Sequence, residues 1–82
     1  MAGSLMDVFE WIRDTETPAG IWLIRYPRRE EWEPDYSLYG YSRGANCIID
    51  QVLEDCVILK CELVGAVIIP YHAILRISLG KR

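Results

Sequence analysis

The chain has 82 residues, 51% of them hydrophobic and 26% charged, with a formal net charge of −3. That length means one small domain, 1–82, and that composition excludes intrinsic disorder. The acidic balance excludes a protein that grips long nucleic acid through a broad basic face, while leaving room for a local pocket for one phosphate. A domain this small buries roughly two-thirds or less of its unfolded surface. Its large apolar share therefore favours self-association through surfaces that a monomer leaves uncovered.

Met1-Ala2-Gly3-Ser4 reads as an expression remnant ahead of a native start at Met6. Leu5 to Arg13 reads as a short helix. Leu5, Val8, Phe9 and Ile12 fall at i, i+3, i+4 and i+7 and form one apolar stripe. Ser4 suits the N-cap and Asp7 the positive end of the helix dipole. The polar face carries Asp7, Glu10 and Asp14 rather than lysines, so the stripe is expected on a sheet and not on a membrane.

Ile21 to Tyr26 is β-branched and aromatic on both faces, and predicts a central strand ended by Pro27. A charged loop follows, with Arg25, Arg28 and Arg29 among Glu30, Glu31 and Glu33. It reads as a self-neutralising turn. Trp32 beside Pro34 suits a lid over a core edge or a platform for a base.

Tyr36 to Tyr41 predicts a second strand. Alternation places Tyr39, Tyr41 and Arg43 on one face. Aromatic rings with an arginine on one strand face suit single-stranded RNA as well as an ordinary half-exposed sheet. Cys47 to Val52 and Cys56 to Val64 predict the third and fourth strands, the latter with Val57, Leu59, Cys61 and Leu63 inward. The final strand is expected from Ala66. Counted from Tyr71, parity places Tyr71, Ala73, Leu75, Ile77 and Leu79 on one face and His72, Ile74, Arg76 and Ser78 on the other. Pro70 cannot donate to a ladder and predicts a break, bulge or edge there.

The expected fold is α+β, mainly β. An N-terminal helix packs on a strongly bent five-stranded antiparallel sheet or small open barrel. The predicted core is Phe9, Ile12, Trp22, Leu38, Val57, Leu59, Leu75 and Ile77.

Chemistry-bearing patterns are sparse. The one histidine, His72, has no sequence partner that marks it as catalytic, and no glycine loop cradles phosphates. Cys47, Cys56, Cys61 and His72 lack a close C-x-x-C pair, so no metal is expected. An odd number of cysteines with no paired spacing and no signal peptide predicts reduced thiols in the cytoplasm. The chain lacks an apolar run of the ~20 residues that a membrane-spanning helix needs. No enzyme activity and no cofactor are expected. Anion binding by Arg43, His72 and Arg76 suits these residues better than turnover.

Two sets of motifs carry resemblances. Trp32-x-Pro34, then Tyr36 and Tyr41, then Arg43-Gly44-Ala45, and later Ile69-Pro70-Tyr71-His72-x-Ile74-Leu75-x-Ile77, resemble the RNA cyclic-group end-recognition domain family. That family carries W-x-P, Y-x-x-R-G-A and I-P-x-H-R-I motifs in this order. The resemblance spans Trp32 to Ile77 and implies a small β-rich domain that binds RNA ends bearing a 2′,3′-cyclic phosphate. The matching positions are Tyr41, Arg43, Tyr71 and His72. Ala73 stands where the family has an arginine, and Arg76 is the nearest substitute.

The N-terminal helix, Thr17-Pro18, Ile21-Trp22-Leu23-Ile24 and the late Tyr71-His72-Ala73-Ile74 resemble Sm-like proteins of the bacterial host-factor type. That resemblance implies subunits joined through edge strands into homo-oligomeric rings that bind single-stranded RNA. The Asn-Gly turn usual after the first strand is absent, and Asn46 stands nearest the RNA-contacting position. Together these readings expect a non-catalytic RNA-binding module, in RNA processing, with Tyr39, Tyr41, Arg43, Tyr71, His72 and Arg76 as the contact set.

Overall fold

The computed structural model describes residues 4–24, 33–42 and 46–80. Helix α1 spans Leu5–Thr15. Strands follow as β1 (Ala19–Leu23), β2 (Tyr36–Leu38), β3 (Asn46–Val52), β4 (Cys56–Cys61), β5 (Gly65–Pro70) and β6 (Ile74–Leu79), with a 3-10 turn at Tyr71–Ala73. All six strands form one open sheet in the order β5-β4-β3-β2-β1-β6. The helix-plus-sheet class is as expected, with six strands in place of five. The sheet is also mixed, because β2 runs parallel to β3 over Ser37↔Asn46 and Leu38↔Cys47.

Helix α1 begins where the sequence places it. The Ser4 hydroxyl accepts from the Asp7 N–H and the Asp7 carboxylate accepts from the Ser4 N–H, each at 3.3 Å. Each side chain thereby satisfies a terminal donor of the first turn. Glu16 closes the other end in the left-handed region, with φ of 52°. Phe9 and Ile12 are fully buried against β3 and β4. They lie in one apolar cluster with Ala19, Ile21, Leu38, Ile49, Val57, Leu59 and Ile69.

β1 has hydrogen-bonded partners on both sides, β2 and β6, and is the interior strand that the sequence predicts. Ile21 enters the helix-side core. Trp22, the next residue along the strand and 3% exposed, stands outside that cluster. The Asp35 carboxylate and main chain extend the support beyond β2. The carboxylate accepts from the Leu23 N–H at 2.7 Å and the Asp35 N–H donates to the Ile21 carbonyl at 2.9 Å.

Four sequence expectations are corrected. The second strand ends at Leu38 because Tyr39 and Gly40 both take left-handed backbone, with φ of 53° and 82°. The predicted Tyr39/Tyr41 alternation therefore does not exist. The last apolar run is divided by the Tyr71–Ala73 turn, and the β1–β6 register shifts at Trp22/Leu23, so parity counted from Tyr71 fails at Ile74 and Leu75, while Ile77 and Arg76 lie on the faces it gives them. Leu75, expected in the core, is 51% exposed for this reason, while Ile74 and Ile77 pack on the core. Leu63, expected inward, is 81% exposed because β4 stops at Cys61 and turns. Finally, Cys47 and Cys61 are disulfide-bonded rather than free, because β3–β4 pairing sets them directly opposite with Cα atoms 4.1 Å apart.

Deleting the Phe9 ring empties the centre of the helix–sheet contact and unstacks Tyr71, whose ring centroid lies 5.8 Å away. Phe9→Ala is expected to cost about 3–5 kcal/mol, read from urea unfolding followed by circular dichroism.

Candidate functional site

Three side chains meet on the face of β1 away from α1. The Arg76 guanidinium lies 4.2 Å from the Trp22 ring centroid. Tyr41 meets Trp22 edge-on, with centroids 6.1 Å apart and planes at 88°. β-Sheet pairing aligns Trp22 with Arg76 directly, and the chain beyond β2 folds Tyr41 back over them. Gly20 makes that return feasible. A Cβ there would lie 2.8 Å from the Tyr41 ring, so the ring occupies space that any other residue's Cβ would need. Arg76 is exposed and Tyr41 half-buried, so the cluster presents a cation and an aromatic ring to solvent. A guanidinium–indole contact with the cation exposed contributes about 0.5–1 kcal/mol.

The indole N–H of Trp22 is buried and has no acceptor among the described residues. Such a donor costs about 1–3 kcal/mol. Nothing in the sequence marks it, because burial of this outward-facing ring follows from Arg76 and Tyr41 arriving from distant segments.

The remaining predicted contact residues are distributed elsewhere. The Tyr39 hydroxyl accepts from the Ile49 N–H at 3.2 Å, tying the turn after β2 to β3. Tyr71 stacks on Phe9 and its hydroxyl donates to the Leu53 carbonyl. Its pKa is raised, first by burial and then by the nearby Cys56, Glu10 and Asp55, which keeps the phenol protonated as a donor. His72 lies exposed on the 3-10 turn rather than on a strand beside Arg76. Arg43 lies outside the described residues, as do Arg25, Arg28, Arg29, Glu30, Glu31, Trp32 and the Gly44-Ala45 turn. Of the six predicted residues the structure thus brings together Tyr41 and Arg76, around Trp22. Asn46 is also occupied, its Oδ1 accepting from the Gly40 N–H at 2.8 Å.

No metal-binding group of three or more His, Cys, Asp or Glu occurs among the described residues. The disulfide removes Cys47 and Cys61 from the zinc set considered from the sequence. Cys56 is the free, half-buried thiol, and burial together with Asp55 raises its pKa. No helix among the described residues is long and apolar enough to cross a membrane.

Two outcomes test these surroundings. Trp22→Phe removes the unpartnered N–H but keeps a ring beneath Arg76, so stability stays within about 1 kcal/mol, whereas Trp22→Ala loses about 3–5 kcal/mol; urea titration measures both. A raised thiol pKa means less thiolate at a given pH. Iodoacetamide therefore modifies Cys56 more slowly in the folded chain than in the urea-unfolded chain at about pH 8, and the gap narrows as pH rises. No protein-family model matches the chain, nor does any curated protein or solved structure.

Proposed function

We propose that this chain is a non-catalytic RNA-binding module whose copies join edge to edge, in the manner of Sm-like subunits. The observation that carries the reading is the pair of open sheet edges, β5 and β6, each six residues long. Soluble proteins ordinarily blunt such edges with charge, proline or a covering element. Here β5 carries no charged residue and reaches proline only at its last position, and β6 carries Arg76 alone. Ile68, 66% exposed, and Leu75 and Leu79, each about half exposed, lie on these strands. A β5 edge of one copy added to the β6 edge of the next is a heterologous contact, which closes into a ring when the rotation permits. The thin core of a chain this small gains most from such burial.

Arg76 and Tyr41 supply the RNA-facing chemistry. A guanidinium serves a phosphate or a base plane, and a tyrosine ring stacks a base. Their position beside β6 sets one such cluster near every joined edge, so a ring multiplies weak contacts into useful affinity. Recognition of a cyclic phosphate would further require His72 and Arg43 to converge on the same anion.

The test is native mass at micromolar concentration with RNA binding measured in parallel. The wild-type chain is expected as a multi-subunit species that binds single-stranded RNA. The double variant Ile68→Lys/Leu79→Lys is expected as a folded monomer with at least about ten-fold weaker RNA binding. A monomeric wild-type chain overturns the assembly reading, and absence of RNA binding overturns the RNA reading. Equal affinity for RNA ending in a cyclic phosphate and in a 3′-hydroxyl excludes end recognition.

A further inference from the structure

The two open edges of the sheet run in the same direction. β5 is antiparallel to β4, and β4 to β3. β3 is parallel to β2, and β2 and β6 are both antiparallel to β1. Copies related by rotation about a ring axis turn the same face of the sheet toward that axis. A β5 edge laid beside the β6 edge of the next copy, with both helices on one side, therefore runs parallel to it. An antiparallel contact with matched faces joins an edge to its own kind instead, β5 to β5 or β6 to β6.

Side-chain parity narrows the register. Val67 and Ile69 lie opposite Leu59 and Val57, both fully buried, so these β5 residues point to the helix side. In β6, Ile77 lies opposite the buried Ile21, while Arg76 lies over Trp22 on the other face. A register that sets Val67 beside Ile77 matches the faces. It leaves Pro70, which has no N–H to donate, beyond the end of β6 at Leu79. The alternative with Val67 beside Leu75 brings Pro70 inside the ladder beside Ser78. The favoured register also sets Ala66 beside Arg76, so the small outward side chain of β5 meets the guanidinium.

The β6 edge borders an apolar groove of about 400 Å³, walled by Leu5 and Val8 of α1 and by Leu75, Ile77 and Leu79. A helix-side residue on a strand added beside Ile77 enters this groove. Val67 is half-buried in its own copy and has branched apolar surface left to bury. β5 carries no charge, and Arg76 is the one charged residue of the groove wall, so the contact sets no like charges together.

We infer that β5 of one copy pairs in parallel with β6 of the next, and that Val67 fills the groove between α1 and β6. The inference rests on the proposed edge-to-edge assembly and specifies its contact. Helix α1 then belongs to the interface as well as to the core, and the joined sheets repeat the parallel pairing that β2 and β3 make within one copy.

The experiment uses the whole chain with Cys56→Ser, so that no free thiol competes. Ile68→Cys/Ser78→Cys and Ala66→Cys/Ser78→Cys are oxidised gently at micromolar concentration and run on a non-reducing denaturing gel. In the parallel register Ile68 and Ser78 are neighbours on the outward face, within disulfide reach, whereas Ala66 and Ser78 are diagonal and too far apart. The first variant is expected to give at least about five-fold more intermolecular crosslink than the second. Val67→Thr, which keeps the shape of the side chain but carries a hydroxyl into the groove, is expected to weaken assembly about ten-fold with the fold retained by circular dichroism. A chain that is monomeric at micromolar concentration overturns the assembly reading and this contact with it. In an assembled chain, crosslinking through Ala66 and Ser78, crosslinking through neither pair, or dimers of a single Ile68→Cys variant overturn the contact alone. Unchanged assembly of Val67→Thr overturns the role of the groove.

Discussion

Two residue pairs hold the sheet together. Ser37↔Asn46 and Leu38↔Cys47 join the β2-β1-β6 half to the β3-β4-β5 half, in parallel. Parallel neighbours ordinarily need a crossover of roughly a dozen residues or more, and here residues 39–45 make the connection. The chain accomplishes this by turning at Tyr39 and Gly40 with positive φ at both. A left-handed tyrosine costs about 1–2 kcal/mol. The bond from the Ile49 N–H to its hydroxyl and the half-burial of its ring offset that cost.

The surrounding contacts reinforce this seam from every side. Asn46 accepts from Gly40 through its side chain, and its N–H donates to the Glu62 carboxylate, so one residue links the turn, β3 and the end of β4. The Cys47–Cys61 bridge continues the same row into β4. Beneath it, α1 packs mainly on β3 and β4, while Ala19, Ile21 and Leu38 bring the other half into the same apolar cluster. Short main-chain pairing is thus compensated by side-chain burial on one face. On the opposite face, among the described residues, Tyr41 and Arg76 cover Trp22. The exposed Ile48 and Ile68 stand on strands outside that cover.

Much of the architecture was legible in residues close together in the chain. The helix and its Ser4–Asp7 cap, the buried Phe9–Ile12 stripe, and the inward set Val57, Leu59 and Cys61 all follow from periodicity and capping chemistry. Pro70 marked its break correctly, ending β5 and opening the 3-10 turn. Alternation failed wherever the backbone left the extended region. It misassigned Tyr39 and Tyr41 because of the left-handed turn, and His72, Ile74 and Leu75 because of the Tyr71–Ala73 turn and the shifted register. For the candidate site, Tyr41 and Arg76 were identifiable as residue types. Their meeting over Trp22 was not, since it depends on β6 pairing with β1 across most of the chain.

The sequence by itself determined a small acidic domain with one amphipathic helix, a β-rich remainder and the positions of most turns. These depend on side-chain period, on proline and glycine, and on hydrogen bonds within a few residues. Only the tertiary structure decided the strand order, the parallel seam, the Cys47–Cys61 bond and the burial of Trp22 beneath a cation. Each of these depends on which distant strands become neighbours and in what register. That choice belongs to the whole core, because a slip of one residue moves every side chain of a strand to its other face.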